Sequence, residues 1–151
     1  MQRRAAIGQC LGALAWWPEA ARARGGRYRK LRETVSIPLS QVAELWRPAP
    51  FRARADTSAG RSVSLTGLAL RTPEGLRAFA LHCPHELCSL DLREDESADH
   101  PLLICPCHFS KFDPAAGGAV IAGPAGRGAY RFGVEALANR IEIREVEEEA
   151  L

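Results

Sequence analysis

The sequence lacks a strong excess of charge of either sign, and this limits the partners that it can have. Its 20 basic residues nearly balance its 18 acidic ones, which leaves a formal net charge of +2. Domains that bind nucleic acid usually carry a clustered and much larger positive charge. We therefore expect no nucleic-acid partner. The basic residues near the start and the acidic run Glu145–Glu149 are interpreted as a frayed arm and a solvated tail.

No convincing membrane span is present at the start of the chain either. The apolar stretch from Ala5 to Trp17 has 13 residues, whereas a transmembrane helix needs about 20. It follows Arg3-Arg4 and precedes a small-residue site around Ala21 and Ala23, which is the layout of a secretory leader of the twin-arginine kind. The sequence thus predicts a leader or short uncleaved anchor at residues 1–23, containing Cys10, and one domain at residues 24–151.

Long helical periodicity and internal repeats are also absent. Short apolar or alternating segments separated by Gly, Pro and Asn turns indicate an all-β sandwich or small barrel instead. A helical turn capped by Ser40 is expected at Ser40–Leu45. The predicted strands are Tyr28–Ile37, Phe51–Ala55, Val63–Leu70, Leu76–Leu81, Leu102–Ile104, Ala119–Ala122, Tyr130–Val134 and Ile141–Val146.

Cysteine and histidine are the residues present in a chemically informative pattern. Two loops each follow a predicted strand and offer one pair of donors, Cys83-x-His85 in one and Cys105-x-x-His108 in the other. Two Cys and two His can bind zinc, and Cys88 and Cys107 would then have no ligand role. Clustered cysteines indicate a metal site, a disulfide or both, so the residues alone leave these alternatives open.

Longer segments around these donors resemble a known family. Cys83-Pro84-His85-Glu86-Leu87-Cys88 and Cys105-Pro106-Cys107-His108-Phe109-Ser110-Lys111-Phe112-Asp113 resemble the two cluster-binding motifs of high-potential, disulfide-containing Rieske [2Fe-2S] proteins. Gly123-Pro124-Ala125 resembles the proline loop of that family. The resemblance spans about residues 76–134. It implies the Rieske fold, an antiparallel β-sandwich or barrel with a small cluster-binding subdomain at about residues 82–125.

The resemblance also implies a role for each matching residue. Cys83 and Cys105 would bind the inner iron and His85 and His108 the outer iron, while Cys88 and Cys107 would form a disulfide. Ser110 would donate a hydrogen bond to a cluster sulfur, and Pro124 would belong to the loop that covers the cluster. His82 and His100 match no ligand position and are interpreted as surface or strand-end histidines.

The function implied is electron transfer, with no substrate-converting site in this chain. Two imidazoles in place of two thiolates make the cluster less negative, which raises its reduction potential. Many quinol-oxidising members have Tyr where this chain has Phe112, so a potential below theirs is expected. Phe109 and Glu86 also depart from the quinol-oxidising pattern. The acidic residues Asp91, Glu94, Asp95, Glu96 and Asp99 form either a docking patch or a solvated loop.

Three parent proteins remain compatible with the sequence. The first is an exported iron–sulfur subunit like the small subunit of arsenite oxidase, which passes single electrons to a cytochrome. The second is the Rieske subunit of a cytochrome bc-type quinol:cytochrome c oxidoreductase, and the third is a stand-alone periplasmic carrier. The expected partners are a larger catalytic or membrane subunit and a c-type cytochrome or similar electron acceptor. A disulfide persists in an oxidising compartment, so the periplasm or the periplasmic face of the inner membrane is the predicted location.

Overall fold

A computed structural model describes residues 26–151 of the chain. The predicted leader at residues 1–23, with Cys10, lies outside this range. Within residues 26–151, no helix has the length and apolar character that a membrane crossing requires.

Ten strands and two short 3-10 helices make up the described part of the chain. The helices are Leu39–Val42 and Glu148–Ala150. The strands are β1 Tyr28–Pro38, β2 Ala49–Asp56, β3 Ser62–Thr72, β4 Gly75–Ala80, β5 Asp91–Arg93, β6 Leu102–Ile104, β7 Lys111–Asp113, β8 Ala119–Ala122, β9 Phe132–Ala136 and β10 Arg140–Glu147.

Six of the strands form an antiparallel sheet that almost closes into a barrel. Their order is β4-β3-β2-β1-β10-β9. The two edges approach each other where Phe79 and Arg131 form an isolated bridge, and the Ala80 amide donates to the Tyr130 carbonyl at 2.9 Å. The strict alternation of burial along β2 reflects this curvature, because Phe51, Ala53 and Ala55 face the barrel interior while the residues between them face solvent. Phe51 packs edge-to-face on Phe132 across that interior.

The other four strands form a smaller antiparallel sheet that is inserted between β4 and β9. Their order is β5-β6-β7-β8. This sheet packs on the outer face of the barrel and buries a second core, which includes Leu68, Leu70, Phe79, Leu103 and Phe112. β3 is therefore covered on both faces near its end, which explains its nearly continuous apolar sequence there. We call the insertion the small subdomain.

The all-β prediction is confirmed, and so are most predicted strands to within a few residues. The helical turn begins at Leu39 and no side chain caps it, so the prediction of a Ser40 cap is wrong. Strand β9 begins at Phe132 rather than Tyr130. β5 and β7 were not predicted, because each has one apolar residue in three and lacks the apolar run that marks β6.

The acidic run at the end is not a solvated tail. Glu147 is the last residue of β10 and is only 1% exposed. Glu148 Oε1 accepts a hydrogen bond from Arg29 Nη2 at 2.6 Å. Both charge-rich ends pair with each other, since Arg29 lies on β1 beside β10. The prediction of a frayed basic arm is likewise wrong for the residues of β1.

Candidate metal centre

The first cysteine loop, residues 83–88, is a compact turn held by its own backbone. The Leu87 amide donates to the Cys83 carbonyl at 2.9 Å, and the Cys83 amide donates to the Cys88 carbonyl at 2.8 Å. This closure brings the chain back over itself within six residues. Leu87 takes a left-handed conformation with φ of 56°, which a branched L-residue adopts only at a cost.

The second cysteine loop, residues 105–110, repeats this backbone. The Phe109 amide donates to the Cys105 carbonyl at 2.9 Å, and the Cys105 amide donates to the Ser110 carbonyl at 2.9 Å. Phe109 has φ of 57°, so it matches Leu87. Each loop thus presents a cysteine at its first position and a left-handed, exposed apolar residue at its fifth.

The two first-position thiols lie inside the protein. Cys83 is 0% and Cys105 is 1% exposed, and both belong to the second core beside Phe112. Within residues 26–151 these are the two cysteines that carry free thiols. Burial raises the pKa of the Cys83 thiol, whereas hydrogen bonds from the backbone amides of His85 and Glu86 to its sulfur lower it. Such amides are suited to stabilise a thiolate that binds a metal.

The two histidines lie above the thiols at the protein surface. His85 and His108 are exposed, and their ring centroids are 4.9 Å apart with the planes at 90°. Donor atoms of His85, Glu86 and His108 lie within 4.8 Å of one another. Glu86 Oε2 is 3.6 Å from His108 Nδ1. The carboxylate beside the histidine pair was not assigned a metal-related role from the sequence.

The remaining two cysteines bridge the loops. Cys88 and Cys107 form a disulfide whose Cα atoms are 6.5 Å apart. Their sulfurs are therefore not available as thiolates. What remains at the junction is two buried thiols and two exposed imidazoles, contributed equally by the two loops.

A third loop closes over the second cysteine loop. We call residues 123–125 the proline loop. Gly123 has φ of 86°, and a Cβ on it would lie 2.4 Å from Ser110 Cα, so only glycine permits this approach. The Ala125 amide donates to Ser110 Oγ at 3.1 Å in a buried position. Because Ser110 Oγ accepts this bond, its own proton is available for another acceptor. Pro124 lies exposed at the middle of the loop.

The other two histidines do not join these donors. His82 packs against Tyr130 with ring centroids 4.9 Å apart, and burial lowers its pKa. His100 stacks on Trp46 at 4.7 Å and bonds to Asp99 and Asp113 at 2.7 and 2.9 Å. These contacts make His100 a link between the barrel and the small subdomain.

Part of the acidic stretch between the cysteine loops is engaged within the protein. Asp95 accepts from Lys111 Nζ at 2.8 Å and from the Ser97 amide at 2.9 Å. Asp99 pairs with His100. This stretch therefore offers a partner less negative charge than its number of carboxylates suggests, because Asp95 and Asp99 are already paired.

Comparison with known proteins matches residues 43–137 to the Rieske [2Fe-2S] domain family. The chain belongs to this family. The matched range contains both cysteine loops and the proline loop. A Rieske domain carries a [2Fe-2S] cluster, and a donor set of two thiols and two imidazoles on two loops fits that cluster.

Two curated relatives match over 53 residues, which is 35% of this chain. A protein of Haloferax mediterranei, named as a Rieske subunit of respiratory nitrate reductase, is 43% identical over a stretch that is 22% of its length. The cytochrome bc1 complex Rieske iron-sulfur subunit of Streptomyces lividans is 47% identical over 29% of its length. The matched stretch therefore spans less than a third of either relative.

Among solved structures, the fold resembles the ferredoxin of carbazole 1,9a-dioxygenase from Nocardioides aromaticivorans. The TM-score is 0.51 at 20% identity, and the match covers 73% of this chain and 95% of the ferredoxin. At this identity the similarity shows the fold, and it confirms the predicted Rieske architecture.

Proposed function

We propose that this chain transfers single electrons through a [2Fe-2S] cluster held by Cys83, His85, Cys105 and His108. The observation that carries the proposal is the layering of the donors, with two thiols buried in the second core and two imidazoles exposed above them. The inner iron would take the two thiolates and the outer iron the two imidazoles. Cys88 and Cys107 would hold the loops together without binding metal.

This donor set supports a high potential for an electrostatic reason. When bound, the cluster accepts and releases one electron, and neutral imidazoles in place of thiolates reduce the negative charge that opposes reduction. The Ser110 hydroxyl would stabilise the reduced state further by donating to a sulfur. Phe112 lies fully buried beside Cys83 and Cys105 and offers no such donor.

The proposed cluster site is buried on the thiol side and exposed on the histidine side. Cys83 and Cys105 are sealed below by the second core, and the proline loop closes on the second cysteine loop through Ser110. The imidazoles of His85 and His108 face outwards. An electron partner would therefore approach from the histidine side, and the exposed ring nitrogens would let proton uptake accompany reduction.

For the parent complex we propose an exported respiratory relay subunit like the small subunit of arsenite oxidase. Leu87 and Phe109 project from the tips of the two loops, 72% and 64% exposed, which widens the apolar rim around the histidines. Glu86 adds a carboxylate 3.6 Å from His108. A bulky rim with a charge at its centre suits a protein surface better than a narrow quinol pocket.

The Rieske subunit of a bc-type quinol:cytochrome c oxidoreductase is the second candidate. The relative from Streptomyces lividans bears that name and is 47% identical over the matched stretch. The Haloferax mediterranei relative, named as a Rieske subunit of respiratory nitrate reductase, supports a role as a subunit of a respiratory complex. A stand-alone periplasmic carrier remains the third candidate. In each case a c-type cytochrome is the proposed acceptor.

Export to the periplasm is part of the proposal. The Cys88–Cys107 disulfide supports an oxidising compartment, and the twin-arginine pattern at Arg3-Arg4 supports transport of a folded, cluster-loaded chain. Under this proposal residues 1–23 are the leader or anchor and residues 24–151 the Rieske domain. Its larger partner would be a catalytic or membrane subunit at the periplasmic face.

Stopped-flow kinetics test the electron-transfer function. The reduced full chain is mixed with an oxidised c-type cytochrome, and haem reduction is followed at several ionic strengths. We expect cytochrome reduction coupled to cluster oxidation with matched amplitudes. A cluster that oxidises at the same slow rate with and without cytochrome would contradict the proposal.

Purification of a tagged full chain from its own cells tests the parent. Molybdenum in the purified complex supports the arsenite-oxidase-like relay, and b-type haem supports the bc-type alternative. A chain that purifies alone, loaded with its cluster, would support the stand-alone carrier and contradict both complexes.

A further inference from the structure

The most deeply buried carboxylate in the described part of the chain lies away from the proposed cluster. The side chain of Glu147, at the end of β10, is 2% exposed and both of its oxygens are occupied. Oε1 accepts from Nε and Nη2 of Arg131 at 3.1 and 2.6 Å. Oε2 accepts from Nη2 of Arg127 at 2.8 Å and from the Arg131 amide at 3.0 Å. Both oxygens of this one carboxylate are thus bound by two arginines.

The two arginines have different positions along the chain. Arg131 directly precedes β9, and its carbonyl accepts from the Glu147 amide at 3.0 Å, so its pair with Glu147 belongs to the pairing of β9 with β10. Arg127 follows the proline loop by two residues. The next backbone anchor after the Ala125 amide is the Ala129 amide, which donates to the Gly118 carbonyl at 2.8 Å.

Between those two anchors, Arg127 is the residue whose side chain reaches another element. Its neighbours Gly126 and Gly128 have no side chains to contribute. The Arg127 guanidinium lies 4.4 Å over the Tyr130 ring and bonds to buried Glu147. It also pairs with Glu149, whose side chain is 68% exposed and therefore adds little.

We propose that Glu147 is a positioning residue for the proline loop. By holding Arg127, it keeps the chain after Ala125 drawn towards the barrel, and so keeps the Ala125 amide on Ser110 Oγ. The part of the proposal that concerns the cluster rests on the proposed function, since it assumes that the proline loop covers the cluster. The part that concerns the loop depends on this chain's contacts alone.

Loss of the Glu147 charge should loosen the proline loop for an energetic reason. A buried ion pair that loses one partner leaves the other desolvated and without compensation, which is strongly destabilising. Here the uncompensated group would be Arg127 or Arg131. Arg127 moves into solvent more easily, because its side chain is 32% exposed and that of Arg131 is 23% exposed. Its movement towards solvent would release the chain next to Ala125.

The same strand offers a matched control. Glu142 lies on β10 with a side chain that is 11% exposed, and it also binds two arginines, Arg140 at 2.8 Å and Arg144. Neither arginine belongs to residues 123–131. Glu142→Gln therefore removes a comparable charge from the same strand without touching the segment that follows the proline loop.

The experiment compares Glu147→Gln, Arg127→Gln and Glu142→Gln in the full chain. Deuterium exchange is measured at the Ala125 amide and across residues 123–131, and cluster loss is timed in the presence of a chelator. We expect Glu147→Gln and Arg127→Gln to raise both rates by roughly tenfold or more, because local opening sets both. Glu142→Gln should leave both rates at the wild-type value.

Arg127→Gln keeps the test decisive where Glu147→Gln fails to fold, because it leaves the Arg131–Glu147 pair in place. Equal rates in Arg127→Gln and wild type would overturn the proposal, as would equal acceleration by Glu147→Gln and Glu142→Gln. A wild-type chain that never holds a cluster would overturn the proposed function instead. Exchange at Ala125 in that chain would still decide the role of Glu147.

Discussion

The two cysteine loops have the same backbone and share one disulfide, and the second loop is also hydrogen-bonded to the proline loop. Both close through the same pair of hydrogen bonds and both place a left-handed apolar residue fifth. Their sixth residues differ. Cys88 makes the disulfide to the other loop, whereas Ser110 receives the Ala125 amide of the proline loop. The disulfide thus ties both loops to each other, and the second loop is fixed in addition by a buried hydrogen bond.

The histidines are also spaced differently in the two loops. The third position of the first loop is His85, but the third position of the second loop is Cys107, which the disulfide requires. His108 follows at the fourth position. The two rings nevertheless come to within 4.9 Å of each other. The backbone turn is therefore the same in both loops, and in the second loop the disulfide cysteine occupies the position that the histidine has in the first.

The largest expected effect follows loss of a first-position thiol. Cys83→Ser and Cys105→Ser each remove one of the two buried donors, so neither variant should hold a cluster. The measurement is iron per purified chain together with the visible absorption of the cluster. His82→Asn is the control and should retain full iron, because His82 contacts Tyr130 rather than the donors. Iron retained by either serine variant would contradict the equal role of the two loops.

Removal of the covalent lock should have the next largest effect. Cys107→Ser frees a loop with a sequence separation of 19 residues, and a crosslink of this size stabilises a protein by about 3 kcal/mol. Urea unfolding at equilibrium measures the difference. The Cys88→Ser variant should lose the same amount, since one bond is broken in both. Clearly unequal losses would show that one of the cysteines stabilises its loop by another contact.

Removal of the hydrogen-bonded lock should be milder for stability and visible in the potential. Ser110→Ala leaves the buried Ala125 amide without an acceptor, which costs about 1–3 kcal/mol. Loss of a hydroxyl donor to a cluster sulfur, if worth about 1.4 kcal/mol in the reduced state, lowers the one-electron potential by about 60 mV. Redox titration and urea unfolding provide the two values. An unchanged potential would contradict the prediction that Ser110 donates a hydrogen bond to a cluster sulfur.

Phe112→Tyr should change the reduction potential in the opposite direction, because it adds a hydroxyl near the cluster sulfurs. Phe112 is fully buried in the core that contains Cys83 and Cys105. A hydroxyl that reaches a sulfur there would raise the midpoint potential by about 60 mV for one hydrogen bond of about 1.4 kcal/mol. Redox titration measures the shift. No rise would refute the interpretation that the missing tyrosine lowers the potential of this chain.

The smallest effect concerns the matching left-handed residues. Glycine relieves the conformational cost at φ near 57° while alanine retains it, so Phe109→Gly should be more stable than Phe109→Ala by about 1 kcal/mol. The same difference is expected between Leu87→Gly and Leu87→Ala. Thermal unfolding of the four variants measures it. Unequal differences would mean that the two loops share less of their backbone energetics than their hydrogen bonds indicate.

Much of the fold was predictable because the barrel strands are long enough to show their period. β2 alternates along its whole length, and the Pro73-Glu74 turn between β3 and β4 is visible from composition. The spacing of the Cys–His pairs, each of which follows a strand, predicts the four candidate donors. β5 and β7 escaped prediction because their three residues are defined by pairing with β6 rather than by a pattern of their own.

Glu147 illustrates what sequence reasoning missed and why. In the sequence it stands among Glu145, Glu148 and Glu149, and a run of like charges usually faces solvent. The structure buries it because β10 continues through the run, with Val146 inside the barrel and two arginines from a distant segment compensating the charge. The partner residues are 16 and 20 positions away, and the antiparallel pairing of β9 with β10 brings Arg131 and Glu147 together.

The central claim is that two thiols and two imidazoles hold one [2Fe-2S] cluster. The most direct measurement combines iron, sulfide and zinc analysis of the purified chain with EPR spectra before and after reduction. We expect two irons and two sulfides per chain, no EPR signal when oxidised, and a signal from one unpaired electron when reduced. One zinc per chain with a silent spectrum in both states would contradict it.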